Sequence, residues 1–133
     1  LFLGPSGAGK STVARLSGSD TILNDDLVYV WKDQATWIMA GTPFTHRDQN
    51  PPTPSKAGLK RMYRLVQDQR AYLEPLHLSQ ALAEIIANTP VLPRSSPFVP
   101  VLLERSQQLL DDVTLDRLHY LPDRSFWDLI EVK

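Results

Sequence analysis

The sequence predicts an α/β fold. The expected architecture is a P-loop nucleotide-binding core with a mixed sheet, a β-hairpin and flanking helices, held in a single domain over residues 1–133. Three observations point there. Residues Gly4-Pro5-Ser6-Gly7-Ala8-Gly9-Lys10-Ser11 satisfy the pattern G-x-x-x-x-G-K-[ST] at every fixed position. Leu1-Phe2-Leu3 precedes this loop as a strand end, and Thr12-Val13-Ala14-Arg15-Leu16 follows it as a helix. Beyond it, β-branched and aromatic runs are interleaved with apolar helical stripes.

The loop comes first because it carries chemistry. Glycines at 4, 7 and 9 let the backbone wrap closely, so that successive N–H groups point inward and form a concave anion site. The helix starting near Lys10 adds its positive dipole end. In such a loop the Lys10 ammonium reaches the β- and γ-phosphates and the Ser11 hydroxyl ligates magnesium, with Thr12 completing the segment Gly4–Thr12. The site therefore calls for a nucleoside triphosphate and Mg2+.

The helix is expected from Lys10 to Leu16, with Gly18 suited to the position after its end. Thr21-Ile22-Leu23 reads as a buried strand running into Asn24-Asp25-Asp26. Leu27 to Trp31 and Ala35 to Ala40 read as two strands joined at Lys32-Asp33-Gln34, a hairpin ended by Gly41-Thr42-Pro43. Thr45 to Lys56 is polar and holds Pro51, Pro52 and Pro54, so it is loop. Ala57 to Leu73 has strand or mixed character. Ser79 is an expected N-cap for a helix from Gln80 to Asn88, with Leu82, Ile85 and Ile86 on one face. After Pro93, Pro97 and Pro100 a helix is expected from Val101 to Asp112, striped by Leu102, Leu103, Leu109 and Leu110. Leu115 to Leu121 reads as a strand and Asp123 to Ile130 as a short closing helix.

Bulk properties narrow the partners. A net charge of −1 argues against a sequence-independent nucleic-acid or membrane surface, which needs a basic excess. With no cysteine the chain has no disulfide framework and no thiolate metal site, which fits a cytoplasmic setting. No apolar run approaches membrane-spanning length. The chain begins without Met, three residues ahead of Gly4, and reads as a fragment whose upstream strands lie outside it. Self-association stays open.

A triphosphate site needs carboxylates, one to order magnesium and one to take the proton of an acceptor hydroxyl. Asp25-Asp26 is the candidate pair, close to the loop if its strand runs parallel beside the first. A solvated turn is the alternative reading of the pair. Thr45-His46-Arg47 could aim a cation at the γ-phosphate, or be plain polar loop. His77 and His119 read as structural, the three tryptophans as core residues, and Arg61, Arg64 and Arg70 as a solvated or substrate-facing face.

Taken together, Gly4 to Thr12, then Leu23-Asn24-Asp25-Asp26-Leu27-Val28, then Gly41-Thr42-Pro43-Phe44, resemble the C-terminal catalytic domain of HPr serine kinase/phosphorylase. The resemblance is closer to the shorter bacterial HPr-kinase-like proteins, whose superfamily shares its core with ATP-dependent phosphoenolpyruvate carboxykinase. Leu118 to Trp127 looks like that family's closing strand and helix. The resemblance implies an ATP-dependent kinase acting on a serine of a protein or peptide. Lys10 and Ser11 would hold ATP and magnesium, Asp25 a magnesium-linked position, and the Asp25–Asp26 pair the base. Two other readings compete: a small-molecule kinase of the gluconate or adenylylsulfate kinase type, and a nucleotide-binding module that transfers nothing.

Overall fold

The computed structural model describes residues 1–18, 22–24, 27–42, 55–90 and 97–130. Its elements in chain order are β1 (Phe2–Leu3), α1 (Lys10–Ser17), β2 (Val28–Asp33), β3 (Thr36–Gly41), β4 (Lys56–Gly58), β5 (Arg61–Gln67), β6 (Tyr72–Pro75), α2 (Leu78–Ala87), α3 (Val99–Asp112), β7 (Thr114–Tyr120) and α4 (Phe126–Ile130). They form a mixed α/β structure with a four-stranded sheet, order β1-β5-β7-β6, and a three-stranded sheet, order β2-β3-β4. In the larger sheet β1, β5 and β7 are parallel and β6 returns antiparallel along β7; the smaller sheet is antiparallel throughout.

Side-chain alternation along the parallel strands splits the core in two. Tyr63, Leu65, Leu118 and Tyr120 point to one face and pack with Val13 of α1 and Phe126 of α4. Met62 and Leu115 point to the other, against Ala81 of α2, Leu109 of α3 and Trp37 of β3. The larger sheet is therefore a middle layer. Helices α1 and α4 lie on one side, and α2, α3 and the small sheet on the other.

A hairpin forms as expected, but its turn is the two residues Gln34 and Ala35 rather than Lys32-Asp33-Gln34: Lys32 and Asp33 continue β2, and Gln34 takes φ 53°. Such primed turns match strand twist but require a positive φ. Residues 22–24 form no strand, against the expectation for Thr21 to Leu23, and Ile22 is exposed. The parallel neighbour of β1 is β5 instead. Helix α2 also starts earlier than expected. Its N-cap is His77 rather than Ser79, and Gln80 Oε1 reaches back to accept the His77 N–H at 3.1 Å. Trp31, expected in the core, is 38% exposed on β2. No helix among the described residues is long and apolar enough to cross a membrane.

Candidate functional site

Strand β1 ends at Leu3, and residues 4–9 turn back into α1. Gly7 and Gly9 adopt positive φ, 84° and 98°, where a side chain is strained. At Gly9 space also forbids one: a Cβ would lie 1.6 Å from the Tyr120 hydroxyl. Gly9 is the N-cap of α1, without a side-chain cap bond, and its carbonyl accepts the first helical bond from the Val13 N–H at 2.9 Å. The amides of Lys10, Ser11 and Thr12 thus sit in a first turn that offers them no intrahelical acceptor. These donors and the dipole end are the anion-binding feature the sequence implies.

The loop is held from below by two neighbouring strand ends. Gln67 and Tyr120 are register partners on β5 and β7. Gln67 Nε2 donates to the Gly7 carbonyl at 3.2 Å and Tyr120 Oη to the Ala8 carbonyl at 2.9 Å. Burial pushes the Tyr120 phenol up, against an opposing hydrogen bond with Gln67, so it stays a protonated donor. With those carbonyls drawn toward the sheet, the loop conformation is fixed by side chains distant in sequence. Lys10 Nζ donates to the carbonyls of Gly4 at 2.6 Å and Pro5 at 3.0 Å. An ammonium has three N–H donors, so one remains for a ligand.

Lys10 also lines a cleft of about 300 Å3 that runs beside β1. Its walls are mostly apolar, with Leu3, Ala14, Leu23 and Met39 among them, and its polar groups include Ser17, Asn24 and Trp127. Trp127 Nε1 is buried and has no hydrogen-bond acceptor among the described residues. Asp25 and Asp26, the expected carboxylates, lie outside the described residues, as do Pro43, Phe44, Thr45, His46 and Arg47. The chain neighbours of the Asp pair are described. Asn24 Nδ2 donates to the Thr42 carbonyl at 2.7 Å and Asn24 Oδ1 accepts the Leu27 N–H at 3.2 Å, so Asn24 is pinned to the residue just beyond β3. Asn24 and Leu27 both line the cleft that Lys10 lines.

On the opposite face of the same strand ends sits a charged cluster. His119, 9% exposed, places Nδ1 2.8 Å from Asp68 Oδ2 and Nε2 3.0 Å from Glu74 Oε2. Tyr72 stacks on its ring at 4.1 Å, and Arg117 reaches Glu74 at 2.9 Å. The Gln69 N–H first, then His119, hold the Asp68 carboxyl below its ordinary value; His119 first, then Arg117, do so for Glu74. This is the structural role expected of His119. Arg64 is paired with Glu84 of α2 at 2.8 Å, and Arg70 lies 6.0 Å from the centre of the Tyr72 ring. Among the described residues no group of three or more His, Cys, Asp or Glu could hold a metal ion.

Of the expected site residues, the structure therefore brings together Gly4 to Thr12 at the strand end. Gln67 and Tyr120 are loop-holding side chains that the sequence did not flag. Their targets are main-chain carbonyls 60 and 112 residues away, and no local pattern marks such a contact. No protein family, curated protein or solved structure matches the chain.

Proposed function

We propose that the chain is an HPr-kinase-like P-loop kinase: it binds ATP with magnesium at Gly4 to Thr12 and transfers the γ-phosphoryl group to a serine hydroxyl of a protein or peptide. The observation that carries this reading is the conformation of the loop itself. Gly7 and Gly9 take positive φ, α1 begins at Lys10, and Lys10 Nζ lies across the loop on the Gly4 and Pro5 carbonyls. A triphosphate fits these groups. The first-turn amides and the dipole end suit phosphate oxygens, the third Lys10 N–H suits a β/γ oxygen, and a Cβ at Gly7 would meet nothing within 4 Å. Ser11 is exposed on that first turn, where its hydroxyl suits magnesium. Bound magnesium would neutralise charge developing on the phosphate oxygens.

In this reading one carboxylate of the Asp25–Asp26 pair, taken as Asp26, accepts the proton of the serine hydroxyl. The serine oxygen then bonds to the γ-phosphorus as the bond to the β,γ-bridging oxygen breaks, and the electron pair leaves with ADP. Asp25 is the magnesium-linked partner. Support comes from Asn24 and Leu27, the chain neighbours of the pair, which share a cleft with Lys10. The test is transfer of radiolabelled γ-phosphate to serine-containing peptides. Wild type should label them, and Asp26→Asn should bind ATP as tightly yet label none. Full labelling by Asp26→Asn would remove it as the base.

A further inference from the structure

Strand β2 is an edge of the small sheet, and among the described residues it pairs with β3 alone. Two contacts fix which of its main-chain groups are spoken for. The Leu27 carbonyl accepts the Thr42 N–H at 3.3 Å, and Asp33 pairs with Thr36 across the two-residue turn. Hydrogen-bonded positions alternate in an antiparallel ladder. Leu27, Tyr29, Trp31 and Asp33 therefore turn their N–H and C=O groups toward β3, while Val28, Val30 and Lys32 turn theirs outward.

Two apolar side chains of this edge are open as well. Tyr29 is 60% exposed and Trp31 38%, on the face away from the core, beside their register partners Ala40 and Ile38. Natural edge strands are blunted by proline, bulges or central charges. The run Val28-Tyr29-Val30-Trp31 has no proline or charge. The nearest charge, Lys32, is already neutralised by Asp112 of α3 at 2.7 Å.

We propose that β2 is a self-association edge, on which the β2 strand of a second copy of this chain docks antiparallel to make one continuous sheet. The strand is complementary to itself. A two-fold axis through Val30 sets Val30 against the second copy's Val30 and Val28 against its Lys32, so every outward main-chain group meets its counterpart. The same register sets Tyr29 against the second copy's Trp31, and Trp31 against its Tyr29, as close non-hydrogen-bonded pairs on one face. No like charges face each other, because Lys32 falls opposite Val28 and Asp33 opposite Leu27. A two-fold pair also uses up the β2 edge of both copies, so this contact closes on itself. This inference is independent of the nucleotide reading.

The test combines mass with register. Sedimentation of the chain at high micromolar concentration should give twice its 15.0 kDa mass, and the Val28, Val30 and Lys32 amides should become slow to exchange with deuterium as concentration rises. Tyr29→Lys combined with Trp31→Lys should return the mass to that of one chain, since both side chains are exposed and the fold does not need them. The chain has no cysteine, so Y29C and W31C report register directly. Oxidised together they should link, while each alone should not. A chain that stays monomeric with those three amides freely exchanging would overturn the proposal. So would a dimer untouched by the paired lysines, or Y29C alone linking as well as the mixture.

Discussion

Gly9 is the residue on which most of the loop depends, because two separate constraints meet there. Its φ of 98° disfavours any side chain, and a Cβ would collide with the Tyr120 hydroxyl. Gly9→Ala should therefore destabilise the fold by about 2 kcal/mol, read from urea midpoints. Tyr120→Phe alone should cost about 1 kcal/mol, because the Ala8 carbonyl loses its donor. Together the two should cost less than their sum, since the 1.6 Å collision is with the hydroxyl while the ring carbon stands at 3.0 Å. Additive costs would mean the collision is relieved by backbone movement instead. Gln34 offers the opposite case. Its φ of 53° is unfavourable for a residue with a Cβ, so Gln34→Gly should stabilise the protein by up to about 1 kcal/mol.

Between elements, polar contacts join strands to each other and to helices. Asp112 at the end of α3 takes Lys32 Nζ at 2.7 Å and Trp37 Nε1 at 2.8 Å on one oxygen, tying the hairpin to the helix. His119 ties β7 to Glu74 of β6 and to Asp68 just beyond β5. The Asp68 and Glu74 carboxyls are held below their ordinary values of 3.8 and 4.5, so their contribution is complete above that range. It is lost as pH falls through the lowered folded values. Replacing His119 with Phe keeps a ring against Tyr72 but removes both bonds. The gap in urea midpoint between wild type and His119→Phe should thus narrow as pH is taken from about 5.5 to about 3. A gap constant with pH would assign His119 a packing role only.

The same elements explain what could be read in advance. The glycine loop, α1, the hairpin, α3, β7 and α4 announce themselves by local spacing and turn residues. Strand β5 does not: packed on both faces and carrying Arg61 and Arg64 among its apolar residues, it follows neither a two-residue nor a helical period. The start of α2 escapes the pattern because its cap is His77, an uncommon one, held by the Gln80 side chain two residues before Ser79. Pairing of β1 with β5 rests on contacts about 60 residues apart, which periodicity cannot rank against a strand at Thr21 to Leu23.

Across the whole molecule, the parallel strand ends of β1, β5 and β7 gather at the glycine loop, and the cleft beside β1 opens at Lys10. Strand ends of a parallel sheet are where such folds place ligands. The proposed nucleotide site is built on Gly4 to Thr12 at these strand ends. Its most direct test is calorimetric titration of the chain with a non-hydrolysable ATP analogue, with and without magnesium, beside Lys10→Ala. Magnesium-dependent binding should be seen, and Lys10→Ala should weaken it at least tenfold, about 1.4 kcal/mol. No binding by the wild-type chain, or equal binding by Lys10→Ala, would contradict it.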